Sequence, residues 1–222
     1  MTLKLIDGDG PRIVSSTHRE LLGTMVPVPA LDVSDRSVLR TARLVLRPLI
    51  DTDRRAFVEL VRRSRAQLDR WSALHRPGES EDELFDRQLE LTRSGERRST
   101  SVRRAVLLAD GTLVGACNLN SISRGLQFES DCNWWIGTEF CGRGYASEAL
   151  RALADYAVRD LPDGLGLHRV FAGIRPDNAP SIAVATRCGF VRQQQVKSYL
   201  NVGGAWELHD MYVRDMLENP AA

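Results

Sequence analysis

Lysine is nearly missing from this chain of 222 residues. Lys4 and Lys197 are the only two among 30 basic residues, and arginine supplies the rest. These are balanced by 29 acidic residues, for a formal net charge of +1. So even a balance gives no global attraction for nucleic acid or for an anionic membrane surface, and neither is expected as a partner. No run of about eighteen apolar residues occurs, so no segment reads as a membrane span. The first residues, Met1 to Asp7, turn acidic too early for a secretion signal. Cysteine is scarce, and Cys117, Cys132, Cys141 and Cys188 form no C-x-x-C pair. Free thiols in a reducing cytoplasm are the expectation. The four histidines, His18, His75, His168 and His209, are dispersed, which gives a metal site no support.

What is present is ordinary for a globular protein, with 43% hydrophobic and 27% charged residues. The length suits one domain with an appendage. Residues 1–38 form the appendage, an arm with a Gly-rich turn at Asp7-Gly8-Asp9-Gly10 that reads as a hairpin. A loop with Pro27 and Pro29 links it to a domain over residues 39–218. Residues 53–63 carry apolar side chains at helical spacing, with Asp51 or Thr52 as the cap, and residues 67–71 read as a second short helix. Residues 81–94 give another helix. Strands are expected at 102–108 and 112–121, joined at Asp110-Gly111, and at 126–136. The dense arginine stretch from Arg93 to Arg104, interrupted by Glu96, reads as a solvated turn. Later strands fall at 167–174, 191–199 and 206–213. The alternation predicts an α/β (α+β) fold with a mixed, mostly antiparallel central sheet and helices on both faces.

The most informative stretch is Cys141-Gly142-Arg143-Gly144-Tyr145-Ala146-Ser147. It follows the apolar Asn133-Trp134-Trp135-Ile136-Gly137, which reads as the end of a strand, and opens a helix over residues 146–159. The first turn of a helix carries backbone N–H groups without internal partners, and its dipole favours negative charge. Glycines let the backbone turn tightly and approach a phosphate. A phosphorylated ligand is therefore expected there. Neither a P-loop nor a dinucleotide fingerprint fits, because Tyr145 and Ala146 follow Gly144 and the third glycine position holds Ser147.

The segment resembles the pyrophosphate loop of the GNAT N-acetyltransferases, Q/R-x-x-G-x-G/A, with Gly144 and Ala146 at its last two fixed positions and Cys141 where Gln or Arg is usual. Asn178-Ala179-Pro180-Ser181, a short helix over 182–187 and Gly189-Phe190 are similar to that family's N-x-x-S helix and its Gly-Phe. Leu44-Val45-Leu46-Arg47-Pro48-Leu49 with Asp53, Asp110-Gly111, and Trp206-x-x-His209-x-x-Tyr212 are similar to the RimJ/RimL branch, which acetylates ribosomal-protein N-termini. Leu208 stands where that branch has Asp before the histidine.

The resemblance implies acetyl-CoA as co-substrate, held by residues 141–147 with Asn178. It implies a backbone N–H near Trp135-Ile136 that polarises the thioester carbonyl. The acceptor is an amine, at a protein or peptide N-terminus or on a small molecule; the departures at Cys141 and Ala185 leave a non-catalytic acyl-CoA-binding protein as the alternative. Glu129 and Asp131, which share a strand face, and His209 are candidates for the base. The family's usual tyrosine acid is replaced by Ala185, which leaves Ser181 either to hydrogen-bond the thiol or to cap its helix. Tyr199 and Trp71 are candidates to line the acceptor cleft. The arm offers a contact near that cleft or a homodimer contact.

Overall fold

A computed structural model describes residues 38–72, 74–202 and 205–216, with side chains not described for 195–202. The expected N-terminal arm lies outside the described residues. Among the described residues the strands are β1 (Leu39–Arg40), β2 (Leu44–Arg47), β3 (Val102–Leu108), β4 (Leu113–Arg124), β5 (Phe128–Ile136), β6 (Arg169–Ile174), β7 (Val191–Val202) and β8 (Ala205–Asp215). The helices are α1 (Arg54–Trp71), α2 (Glu81–Arg98), α3 (Tyr145–Val158) and α4 (Ala179–Arg187). The sheet runs β1-β2-β3-β4-β5-β6-β8-β7. Every neighbouring pair is antiparallel except β5–β6.

Alternation along each strand sends its side chains to two cores. Val106, Cys117, Cys132 and Ile136 pack with Leu150 and Leu153 of α3. Ala105, Leu107, Leu113 and Trp135 pack with Phe57 and Leu60 of α1 and with Leu84 and Phe85 of α2. Phe57 meets both Phe85 and Trp135 edge-on, at ring-centroid distances of 5.5 and 6.0 Å. The expected helices on both faces are thus observed.

Helix α1 is continuous where the sequence suggested two pieces. Its inward positions are Phe57, Leu60, Val61, Ser64 and Leu68. The polar Ser64 sits at a core-facing slot and interrupts the apolar pattern there. Pairs one turn apart, Glu59 with Arg63 (2.6 Å) and Arg65 with Asp69 (2.7 Å), bridge that stretch. Neither Asp51 nor Thr52 caps the helix. Asp53 takes the N-cap position without a side-chain capping bond, and its carboxylate binds Arg47 in a two-pronged pair and Ile50 N instead. Helix α2 begins with a reciprocal capping box between Ser80 and Glu83. It also runs on to Arg98, past the expected end at 94.

The arginine stretch corrects the reading of a solvated turn. Arg93 pairs with Asp51 on the surface, but Arg104 is buried against Glu96 (2.7 Å) and Arg103 is half-buried beneath α2. Strand β3 starts inside the charge run, so the sheet takes its last two arginines inward.

Candidate active site

Strands β5 and β6 pair only over Glu129–Arg169, Ser130–Val170 and Asp131–Phe171. Beyond Asp131, β5 continues five residues to Ile136 while β6 stays with β8 as far as Ile174. The two parallel strands therefore part, and a gap opens at their C-terminal ends. Gly137 N donates to Val114 O on β4 (2.8 Å). Backbone groups alternate sides along a strand, so Trp135 turns the same way as Gly137, and the N–H and C=O of Ile136 face the gap. The Ile136 carbonyl there accepts from Gln67 Nε2 (3.3 Å).

A cleft of about 650 Å³ occupies this gap. Its walls are the end of α1 (Gln67, Trp71), the β5 end (Trp134, Trp135, Ile136), the loop with Cys141, Gly142 and Gly144, the first turn of α3 (Tyr145, Ala146, Ser147) and one face of α4 (Asn178, Ser181, Val184, Arg187). Of the sequence-predicted cofactor residues, only Arg143 is not on the wall. Its guanidinium turns back to Glu139 O (3.1 Å) and lies over Phe140.

The loop has the geometry of an anion cradle. Gly142 and Gly144 have φ of +77° and +81°, a region that side chains with a Cβ avoid. Gly144 is the N-cap of α3, with no side-chain cap. Among the described residues no acceptor takes the backbone N–H groups of residues 142–147. The first donor satisfied within the helix is Glu148 N, to Gly144 O (3.1 Å). A Cβ at Gly142 would meet nothing within 4 Å, so the loop is open on that side. Six donors around a helix N-terminus, with Arg187 on the wall, suit a pyrophosphate. The residues present therefore fit coenzyme A.

Glu148 anchors the cradle from behind. Thr41 Oγ1 (2.6 Å), Arg43 N (3.0 Å) and Arg43 Nε (2.7 Å) all donate to its carboxylate, and Arg43 also reaches Arg143 O (3.0 Å). Burial raises the Glu148 carboxyl, but these bonds outweigh it and hold the group below its ordinary range.

Asn178 and Ser181 resolve into different parts. Asn178 Oδ1 accepts from Ser181 N (3.2 Å) and caps α4, so Asn178 is the cap and Ser181 is not. The Ser181 side chain lines the cleft, and its hydroxyl makes no hydrogen bond among the described residues.

Glu129 requires correction. It shares a sheet face with Trp135, but six residues at about 3.3 Å each place it ~20 Å away along β5. It pairs with Ser123 and Arg169 at the far end of the strand and is not on the cleft wall. Asp131 is nearer but also off the wall; it is exposed, yet partial desolvation against the sheet, and next the Glu129 carboxylate, raise its pKa. His209 is buried with Nδ1 2.8 Å from Glu207 O, a structural position. Trp71 does line the cleft, and the Tyr199 side chain lies outside the described residues. The wall residues Gln67, Val184 and Arg187 were missed. The α4 residues follow from helical spacing, since 180, 184 and 187 fall on one face.

Arg87 fixes the loop between α1 and α2. Its guanidinium binds Glu79 through Nε (2.6 Å) and Nη2 (2.7 Å), and Leu74 O (2.6 Å). Hydrogen bonds from Arg87, opposed by burial and aided by Arg76 N, push the Glu79 carboxyl down from 4.5 to about 2. A depressed carboxylate stabilises the fold fully above its unfolded pKa, and that contribution disappears as pH falls from about 4.5 to about 2. The stability difference between wild type and Glu79→Gln should therefore shrink as pH is lowered from 5.5 to 2.5. Urea midpoints measured in parallel check this; a constant difference refutes the assignment.

Parallel strands that splay apart, with a glycine loop and an uncapped helix N-terminus at the gap, are the features that define the class. The chain belongs to the GNAT acetyltransferase family: residues 43–191 match the model of the acetyltransferase (GNAT) domain. It is 24% identical over 172 residues to the [ribosomal protein uS5]-alanine N-acetyltransferase of Escherichia coli K12, covering 77% of this chain and 87% of that protein. It is 30% identical over 103 residues to the probable N-acetyltransferase YjcK of Bacillus subtilis, covering 46% of this chain and 55% of that protein. A further match, the uncharacterized N-acetyltransferase p20 of Bacillus licheniformis, spans 58% of that protein. Among solved structures, Mycobacterium smegmatis RimJ in complex with CoA-disulfide superposes with a TM-score of 0.72 at 25% identity, over 83% of this chain and 88% of that one. The RimJ/RimL resemblance and the fold expected from it are borne out. Among the described residues no helix is long and apolar enough to cross a membrane.

Proposed function

We propose that this chain transfers acetyl from acetyl-CoA to an α-amine at a protein or peptide N-terminus. One observation carries the choice of acceptor: among the described residues, no aspartate, glutamate or histidine lines the cleft. An α-amine has a pKa of about 8, so roughly a tenth is already neutral at pH 7, whereas a lysine at about 10.4 is neutral in fewer than about one part in a thousand. A cleft without a carboxylate or imidazole suits the first and handicaps the second by about 3 kcal/mol. The kinship with the uS5-alanine N-acetyltransferase supports the same reading.

Acetyl-CoA, when bound, supplies a thioester: the amine nitrogen bonds to its acyl carbon, the C–S bond breaks, the proton lost by the amine passes to solvent water, and the departing thiolate takes a proton from water. The chain's residues prepare that exchange. Backbone amides of residues 142–147 hold the pyrophosphate, with Arg187 adding positive charge. Ile136 N–H, on the gap side of β5, donates to the carbonyl oxygen as charge develops there, a contribution of roughly 3 kcal/mol. Ser181 Oγ donates to the departing sulfur. Trp71 and Trp134 exclude water from the reacting end. Gln67 keeps the β5 end in place through the Ile136 carbonyl.

The acceptor test is a set of peptides with either a free N-terminus and no lysine, or a blocked N-terminus and free lysines. Transfer is expected to the first set, with kcat/KM rising with pH towards the acceptor's own pKa. Efficient modification of blocked peptides on lysine overturns the proposal. Transfer to small amines alone moves the acceptor to that class.

A further inference from the structure

Arg103 carries a charge that nothing among the described residues neutralises. Its Nη1 donates to Asn120 Oδ1 (2.6 Å) and its Nη2 to Gln88 Oε1 (2.6 Å). Both acceptors are neutral amides, and no carboxylate lies within 4 Å of the guanidinium among the described residues. The nearest charge that acts on it is another cation, Arg87, itself committed to Glu79. Burial accordingly pushes the Arg103 pKa down to about 10, the mark of a desolvated cation without a counter-ion. An arginine with five N–H donors, of which two are used on amides, is suited to take a carboxylate in a two-pronged pair.

The strand register places this charge relative to the reacting end. Arg103 is paired with Asn118, and Asn118 with Asn133, whose side chains are joined by Asn118 Nδ2 to Asn133 Oδ1 (2.9 Å). All three point to the face that carries Trp135, since Ala105 and Trp135 pack on that side. Asn133 and Asp131 are exposed, so the floor of β4 and β5 beyond α2 is open on this face. Arg103 lies two strands across from Asn133, at about 4.8 Å each, and two residues along from Trp135, at about 3.3 Å each. The resultant, ~12 Å, is spanned by an extended chain of about four residues.

We propose that Arg103 reads an acidic side chain near the fourth residue of the acceptor polypeptide. The inference rests on the reading of a peptide N-terminal acceptor and narrows it to one chemical class, N-termini with an early carboxylate. Asp131 does not already satisfy Arg103, because the two form no ion pair within 4 Å. It sits across β4, opposite Asn120, the residue that Arg103 holds.

Eight-residue peptides differing only in Glu, Gln or Lys at position four test this. The wild type is expected to favour Glu over Lys at least tenfold in kcat/KM, with Gln between. Arg103→Gln should bring all three within about twofold of one another. Arg103→Glu should invert the order. A role confined to holding Gln88 and Asn120 would lower melting temperature and leave the wild-type order intact in the variants. A wild type indifferent to charge at positions three to five overturns the inference, as does a preference that survives in Arg103→Gln. If Arg103→Gln does not fold, the wild-type series decides alone. Failure to acetylate any of the peptides refutes the acceptor reading itself, whereas acetylation without charge preference refutes only the role of Arg103.

Discussion

Gly144→Val should weaken acetyl-CoA binding at least tenfold while the sheet and both cores stay intact. At φ +81°, Gly144 occupies the left-handed region, where a β-branched residue is strained by about 1–2 kcal/mol. A Cβ there would also stand 3.4 Å from Arg43 Nη2, part of the tie that fixes the first turn of α3. The strain is relieved by rotating the loop, and rotation turns the amides of residues 142–147 away from a common focus. Tenfold corresponds to about 1.4 kcal/mol, less than one charge-assisted bond to a phosphate. Calorimetry on a variant whose circular dichroism matches wild type checks the expectation. Unchanged affinity removes the cradle from the binding site.

The second large effect concerns turnover. Ser181→Ala should lower kcat by about a hundredfold, the low end for losing a hydrogen-bond donor aimed at charge developing on the leaving sulfur, with little change in acetyl-CoA affinity. Its melting temperature should hold, because Asn178, not Ser181, caps α4. Asn178→Ala should show the opposite pattern in stability, losing about 1 kcal/mol with the cap. Paired measurement of kcat and melting temperature separates the two. A Ser181→Ala enzyme with wild-type kcat removes that hydrogen bond from the reaction.

The glycine cradle was legible because everything that makes it is local: a strand, two glycines and a helix start within about fifteen residues. The fold followed for the same reason, through alternation in the strands and spacing in α2 and α3. Glu129 misled because alternation reports the face of a strand and not the distance along it, and the cleft lies at the other end of β5. Ser64 is a polar residue at an inward position of α1, where it accepts Thr138 N (3.1 Å), so the apolar spacing alone did not carry the helix through it. Arg103 and Arg104 were hidden by their neighbours, since a run of arginines looks solvated until a strand is known to begin within it. Gln67 left no signal, because its partner, Ile136 O, is 69 residues away.

The tie behind the cradle joins Thr41 and Arg43 to Glu148, partners 107 and 105 residues apart. A link of that span is among the last a growing chain can make, since closing the loop costs entropy before the contact is gained. Residues 142–147 alone, or a fragment that starts after β2, would carry the motif without the support that aims it. On the proposed function, ligand affinity belongs to the completed fold: a peptide copy of the loop is expected to lack it, and the nascent chain to acquire it only once β1, β2 and α3 have met.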